Sequence, residues 1–145
     1  MIGIGTDHGG VELKAHIKNL LESKGIEVKD FGVHTTESVD YPDIAIPVCE
    51  SVVSGECECA ILVCGTGIGM SIAANKIKGI RAAHVTDSFS ARMTKMHNNA
   101  NVICLGGRIT GPEIASDIIE AYLNAKFEGG RHANRVEKVM ALENK

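Results

Sequence analysis

The sequence predicts a three-layer α/β/α sandwich built on a five-stranded parallel sheet, in one domain covering residues 1–145. Three observations predict it. Short apolar runs lack polar alternation, as strands covered on both faces do. Each run is followed by a segment with helical spacing of apolar residues, the βα alternation of a parallel sheet. And 145 residues, with no internal repeat or linker, match one domain large enough to bury a core.

The elements follow in order. Ile2–Thr6 is a short apolar strand. Val11–Ser23 has helical spacing through Leu13, Ile17, Leu20 and Leu21 and ends before Gly25. Ile26–Phe31 is a second strand, and Tyr41 opens a helix to about Val53, with Pro42 in its first turn. Cys59–Cys64 is a third strand, followed by a glycine loop and a helix from about Gly69 to Ile77. Arg81–Val85, Ser88–Met96 and Asn101–Leu105 read as strand, helix and strand. Thr110 or Gly111 caps a helix to about Asn124, and a last helix spans roughly Arg131–Glu143. The order is that of an open Rossmann- or flavodoxin-like sheet.

Composition excludes several function classes. A net charge of −3 supplies no field for nucleic acid or anionic membrane, and 3% aromatic residues supply no base-stacking surface. No run approaches the ~18 apolar residues of a membrane span, and MIGIGTDHGG lacks the charged and apolar regions of a signal peptide. Five cysteines, an odd number set mostly in apolar runs, suit reduced thiols in a cytoplasmic protein. The spacing of Cys57, Cys59 and Cys64 lacks the paired C-x2-C of a zinc site, so no metal is expected.

Ligands of open α/β sheets bind beyond the carboxyl ends of the strands. Those ends carry Thr6-Asp7-His8, Cys64-Gly65-Thr66-Gly67, Thr86-Asp87 and Gly106-Gly107-Arg108. Gly65, Gly67 and Gly69 allow positive φ and close approach to backbone N–H groups, which at a helix start form an anion site. A dinucleotide site is the rival, but G-x-G-x-x-G requires glycine where Met70 stands, and no Gly-Lys-Ser/Thr follows for a P-loop. A flavodoxin-like nucleotide-binding module nevertheless stays open as a reading. Cys64 is either a packed thiol or a thiolate favoured by helix-start N–H dipoles.

His97, beside Asn98 and Asn99, either complements a helix dipole or serves as a general acid or base in a hydroxyl-binding cluster. Arg131 and Arg135 lie one turn apart at a helix start, where cations oppose the dipole. Glu128 compensates locally, or a phosphate satisfies both guanidinium groups and the dipole. His16, His34, His84 and His132 read as structural or surface residues, and Cys49, Cys57, Cys59 and Cys104 as packing.

Together these residues resemble the type B ribose-5-phosphate isomerase family, which includes allose- and galactose-6-phosphate isomerases. The resemblance rests on Asp7-His8-Gly9, Tyr41-Pro42-Asp43, Cys64-Gly65-Thr66-Gly67-Ile68-Gly69, Ala73-Ala74-Asn75-Lys76, His97-Asn98-Asn99-Ala100-Asn101 and Gly129-Gly130-Arg131-His132 with Arg135. It implies a cofactor-free aldose–ketose isomerase interconverting ribose 5-phosphate and ribulose 5-phosphate, or alternatively acting on allose 6-phosphate or galactose 6-phosphate, with strand order 2-1-3-5-4. Cys64 would move a proton between C1 and C2 through an enediolate held by the N–H groups of residues 65–69, Ile68 among them. His97, with Thr66, would open the sugar ring. Asp7, Asn98 and Tyr41 would meet the sugar, and His8, Arg108, Arg131 and Arg135 the phosphate. The resemblance further implies a homodimer or homotetramer, with His97 and Asn98 reaching a neighbouring subunit's site and the last helix docking at the interface. Some members carry a glutamate base where this chain has Met70, so the resemblance is to the cysteine-dependent branch.

Overall fold

Along the chain run β1 (Ile2–Thr6), α1 (Val11–Ser23), β2 (Val28–Asp30), α2 (Tyr41–Val53), β3 (Cys59–Cys64) and α3 (Ile68–Asn75). They are followed by β4 (Ala82–His84), α4 (Ser88–Asn98), β5 (Val102–Gly106), α5 (Pro112–Asn124) and α6 (Arg131–Ala141), with a closing 3-10 turn at Leu142–Asn144. The structure, a computed structural model, describes residues 1–145. The sheet is parallel throughout and ordered β2-β1-β3-β5-β4.

β3 lies at its centre with all six residues buried, which accounts for its unbroken apolar run. Its alternate side chains serve two cores. Cys59, Ile61 and Val63 join Ile2, Ile4, Ile103 and Leu105 beneath α1, α4 and α5. Ala60, Leu62 and Cys64 face α2 and α3 with Val102 and Cys104. Each layer is covered, as the patterning requires. No helix is long and apolar enough to cross a membrane.

The edge strands are shorter than their apolar runs. β2 loses Ile26, whose N–H bonds back to Leu21 at the end of α1. At its other end the Gly32 N–H goes to the Asp30 side chain. β4 loses Arg81, whose N–H goes to the Asn101 side chain. An edge strand has a partner on one side only, so local side-chain bonds compete at its ends. Asn75 extends β4 differently, giving its side-chain N–H to the Ala82 carbonyl and accepting the Ala82 N–H at 2.9 and 2.8 Å.

α3 begins one residue earlier and ends two earlier than its spacing predicts, because Gly67 caps it in the left-handed conformation and a turn closes at Lys76 and Ile77. α4 runs two residues further, to a left-handed Asn99. Asp87 caps its start, accepting the Ser90 N–H and hydroxyl. Asp87, at the carboxyl end of β4, is therefore committed to a helix end. Two ion pairs tie α1 to Asp30 of β2: Lys14, 3% exposed, donates to both Asp30 oxygens at 2.8 Å, and Lys18 Nζ lies 3.5 Å from Oδ2.

Candidate active site

The carboxyl ends of β1, β3 and β5 converge at one rim. β3 delivers Cys64, 5% exposed, and the chain then turns through Gly65, Thr66 and Gly67 into α3. Bonds from the next strand's end hold the turn, Gly107 N–H to the Cys64 carbonyl at 2.7 Å and Arg108 N–H to the Gly65 carbonyl at 3.0 Å. The Gly67 N–H donates to Cys64 Sγ at 3.1 Å. The Ile68 N–H donates to Thr66 Oγ1. Those of Gly69 and Met70, in the first turn of α3, have no acceptor within the chain; Met70 is fully buried, and the half-buried Gly69 leaves its N–H available to an anion.

The three loop glycines are glycine for different reasons, and only one needs positive φ. Gly67 has φ +84°. At Gly65 a Cβ would stand 3.1 Å from an Arg108 guanidinium nitrogen, and at Gly69 2.9 Å from the Tyr41 ring. Absent side chains there bring Arg108 and Tyr41 over the loop.

Beside the loop, β1 ends in Asp7, which is 7% exposed and accepts the Gly9 N–H at 2.8 Å. His8 Nδ1 accepts the Val39 N–H, so in the neutral ring Nε2 carries the proton. The rim thus brings together Asp7, His8, Tyr41, Cys64, Thr66, the loop glycines, Ile68 and Arg108. The other cysteines are packing: burial, with Glu50 nearby, pushes Cys49 up to about 12. Cys59 is pushed to about 11 by burial and by Glu58. Cys104 is raised by burial and by its thiol neighbours.

His97, Asn98, Arg131 and Arg135 lie elsewhere. α4 runs antiparallel to the strands, so its last turn, bearing His97 and Asn98, sits near the amino end of β5, whereas Gly106 at the other end pairs with Cys64. At about 3.3 Å per residue, five residues of β5 separate the two ends by roughly 15 Å. His97 Nε2 lies 3.3 Å from Glu128 Oε1, and its ring stacks on His132 at 4.2 Å between centroids and 8° between planes. His132 is thus not an isolated structural residue, and Glu128 faces His97. Burial lowers the His132 pKa, with His97, Arg131 and Arg135 adding to the effect against Glu128. Asn99 and Asn101, by contrast, are bonded to Arg81 and Gly79 and belong to the scaffold.

An open groove of about 800 Å³ runs from this cluster between α6 and the segment after α3, lined among others by Asn75, Arg81, His97, His132, Arg135 and Met140. His97, Glu128 and His132 bring potential ligating atoms within 4.8 Å of one another. The near-parallel rings nonetheless direct their in-plane lone pairs into separate planes, so one ion cannot lie in both without a ring turning.

One functional contact lay outside the sequence reading. His84 reaches the loop from β4, its Nε2 2.8 Å from the Thr66 carbonyl oxygen. No local spacing signals this, since the two residues meet only through the sheet.

A family model described as Ribose/Galactose Isomerase matches residues 2–139. The chain is 46% identical to ribose-5-phosphate isomerase B of Escherichia coli, covering 98% of this chain and 95% of that one. It is 47% identical to D-erythrulose-4-phosphate isomerase of Pectobacterium atrosepticum, over 95% and 91% of the two chains. Among solved structures, ribose-5-phosphate isomerase B of Clostridium thermocellum superposes with TM-score 0.97 at 55% identity, over 99% and 97% of the chains. The enzyme from Mycoplasma genitalium with bound ribulose-5-phosphate superposes with TM-score 0.95 at 39% identity, over 99% and 96%. With the fold and nearly the full length shared, the chain belongs to the ribose/galactose isomerase family.

Proposed function

We propose that this chain interconverts ribose 5-phosphate and ribulose 5-phosphate, with Cys64 as the proton-transferring base. The observation that carries the reading is Cys64 Sγ receiving the Gly67 N–H at the mouth of a loop where the Gly69 N–H, at the start of α3, is unengaged. Relatives named for the same reaction, one holding ribulose-5-phosphate, support it.

On the open-chain sugar, the Cys64 thiolate removes the C2 proton, and the electron pair of that bond forms the C1=C2 double bond of an enediolate. The negative charge developing on the C1 oxygen faces the N–H groups at the start of α3, where fixed dipoles stabilise it. Return of the proton to C1, with the hydroxyl proton passing from O2 to O1, leaves the ketone at C2. Asp7 accepts a hydrogen bond from a sugar hydroxyl, Tyr41 lies against the sugar, and His8 and Arg108 take up the phosphate.

Ring opening requires His97, with Thr66, and the phosphate also requires Arg131 and Arg135. We assign His97, Asn98, Arg131 and Arg135 to a neighbouring copy's rim in a homodimer or a tetramer of such dimers. Exposed apolar side chains on α3 and at the chain's end, Ile68, Ile72, Val139 and Leu142, support such a contact. Five free thiols suit a reducing cytoplasm. Proton transfer alone calls for no metal or cofactor, and full activity after exhaustive chelation is expected; loss restored by one metal would refute this.

The test is turnover of ribose 5-phosphate by wild type and Cys64→Ala, beside allose 6-phosphate and erythrulose 4-phosphate. A fall of roughly a thousandfold or more in kcat, with KM little changed, is expected of the variant. Comparable turnover without the thiol would sink the base assignment. Preference for the four- or six-carbon sugar would move the substrate, not the chemistry.

A further inference from the structure

His84 closes β4 and sets its ring against the glycine loop. Its Nε2 lies 2.8 Å from the Thr66 carbonyl oxygen. A carbonyl only accepts, so Nε2 carries the proton and donates. That carbonyl belongs to the same peptide unit as the Gly67 N–H, which donates to Cys64 Sγ at 3.1 Å. A donor at the oxygen of a peptide polarises the whole unit and strengthens its N–H as a donor. The two bonds therefore run in series, from histidine through one peptide to the thiol.

The loop explains why a side chain is needed there. Three successive carbonyls follow β3. The first two, of Cys64 and Gly65, are held by the N–H groups of Gly107 and Arg108. The third, of Thr66, lies over Gly106, where a Cβ would come within 2.6 Å of its oxygen, and His84 supplies its donor. A peptide preceding a left-handed glycine turns over readily, because glycine tolerates either sign of φ. Turned over, it would aim its carbonyl oxygen at the thiol instead of its N–H.

We propose that His84 is a positioning residue, which by holding the Thr66 carbonyl keeps the Gly67 N–H aimed at Cys64 and so favours the thiolate. Its consequence for turnover rests on Cys64 being the base; its effect on the thiol does not.

The test is the rate at which iodoacetamide alkylates Cys64 near neutral pH, followed by peptide mass spectrometry, in wild type, His84→Leu and His84→Gln. Leucine fills the space without a donor, whereas glutamine carries an amide N–H of similar reach. Alkylation is expected to fall roughly three- to tenfold in His84→Leu and to recover to within about twofold in His84→Gln. In the isomerase assay kcat falls in step while KM stays constant. Should the leucine variant aggregate, His84→Asn, whose amide stops short of the carbonyl, takes its place. A thiol in the donorless variant that reacts as fast as wild type, or faster because it has merely been uncovered, overturns the proposal. An active Cys64→Ala would refute the base assignment and leave the alkylation comparison to decide His84 on its own.

Discussion

At Gly67 an added Cβ would stand 2.8 Å from both the Leu105 carbonyl carbon and the His84 ring, in a backbone with φ +84°. Gly25 has a similar φ of +75° with open space around it. Gly25→Ala therefore carries conformational strain alone, about 1 kcal/mol. Gly67→Ala adds a backbone collision and is expected to cost about 2–4 kcal/mol. Urea midpoints of the two variants separate strain from collision; equal midpoints would discard the collision. Asp30 supplies a second residue-scale prediction. Burial alone would raise its pKa, but the bonds from Lys14 and the Gly32 N–H outweigh that, and the folded value lies below 3.8. A depressed acid stabilises the fold above its unfolded pKa and loses that contribution as pH falls through the folded one. Lys14→Met is thus expected to cost about 3 kcal/mol near neutral pH, and clearly less once the pH has fallen far enough for Asp30 to take up its proton; a pH-independent loss in denaturant melts would contradict this. Residue chemistry was legible where it is local: Cys64 at a strand end, Asp7 and His8 after β1. The roles of His84 and His132 were not, because each is made by a contact across many residues of sequence.

Helices and central strands were legible because each carries its own period, and β3 was the plainest since both its faces are covered. Edge strands were read too long, as apolar runs continue past the residues that find a ladder partner. α6 is the element with least support in its own chain. Its ties are the stack of His132 on His97 and the Arg81 guanidinium to Met140 sulfur at 3.6 Å, with the Gly79 N–H reaching, at 2.8 Å, the Glu143 carboxylate in the turn that follows. Val139 and Leu142 stay more than half exposed. A chain ending at Gly130 is expected to retain a cooperative unfolding transition and to lose isomerase turnover entirely. Loss of cooperative folding in that truncation would mean α6 belongs to the core after all.

At the scale of the molecule, the sheet's direction separates the two groups of residues that the proposed chemistry unites. Local spacing pairs His97 with Asn98 and Arg131 with Arg135, yet the strand order that sets both pairs at the far end of β5 is written in no local pattern. If two copies complete each other, mixing inactive Cys64→Ala with inactive His97→Asn restores function, because each mixed pair holds one intact site and one doubly broken one. After random exchange about a quarter of wild-type activity returns. A mixture as inactive as its parents, with exchange verified by mass, would confine each site to one chain.

If two copies complete each other's sites, the same separation of some 15 Å along β5 reaches into how the enzyme is dosed. A catalyst whose halves belong to different molecules obeys mass action in its own concentration. Below the dissociation constant of the pair, rate rises with the square of the protein, and specific activity ceases to be constant. Dilution then acts as an inhibitor, and the cell's supply of this chain sets both how much enzyme there is and how active each copy is.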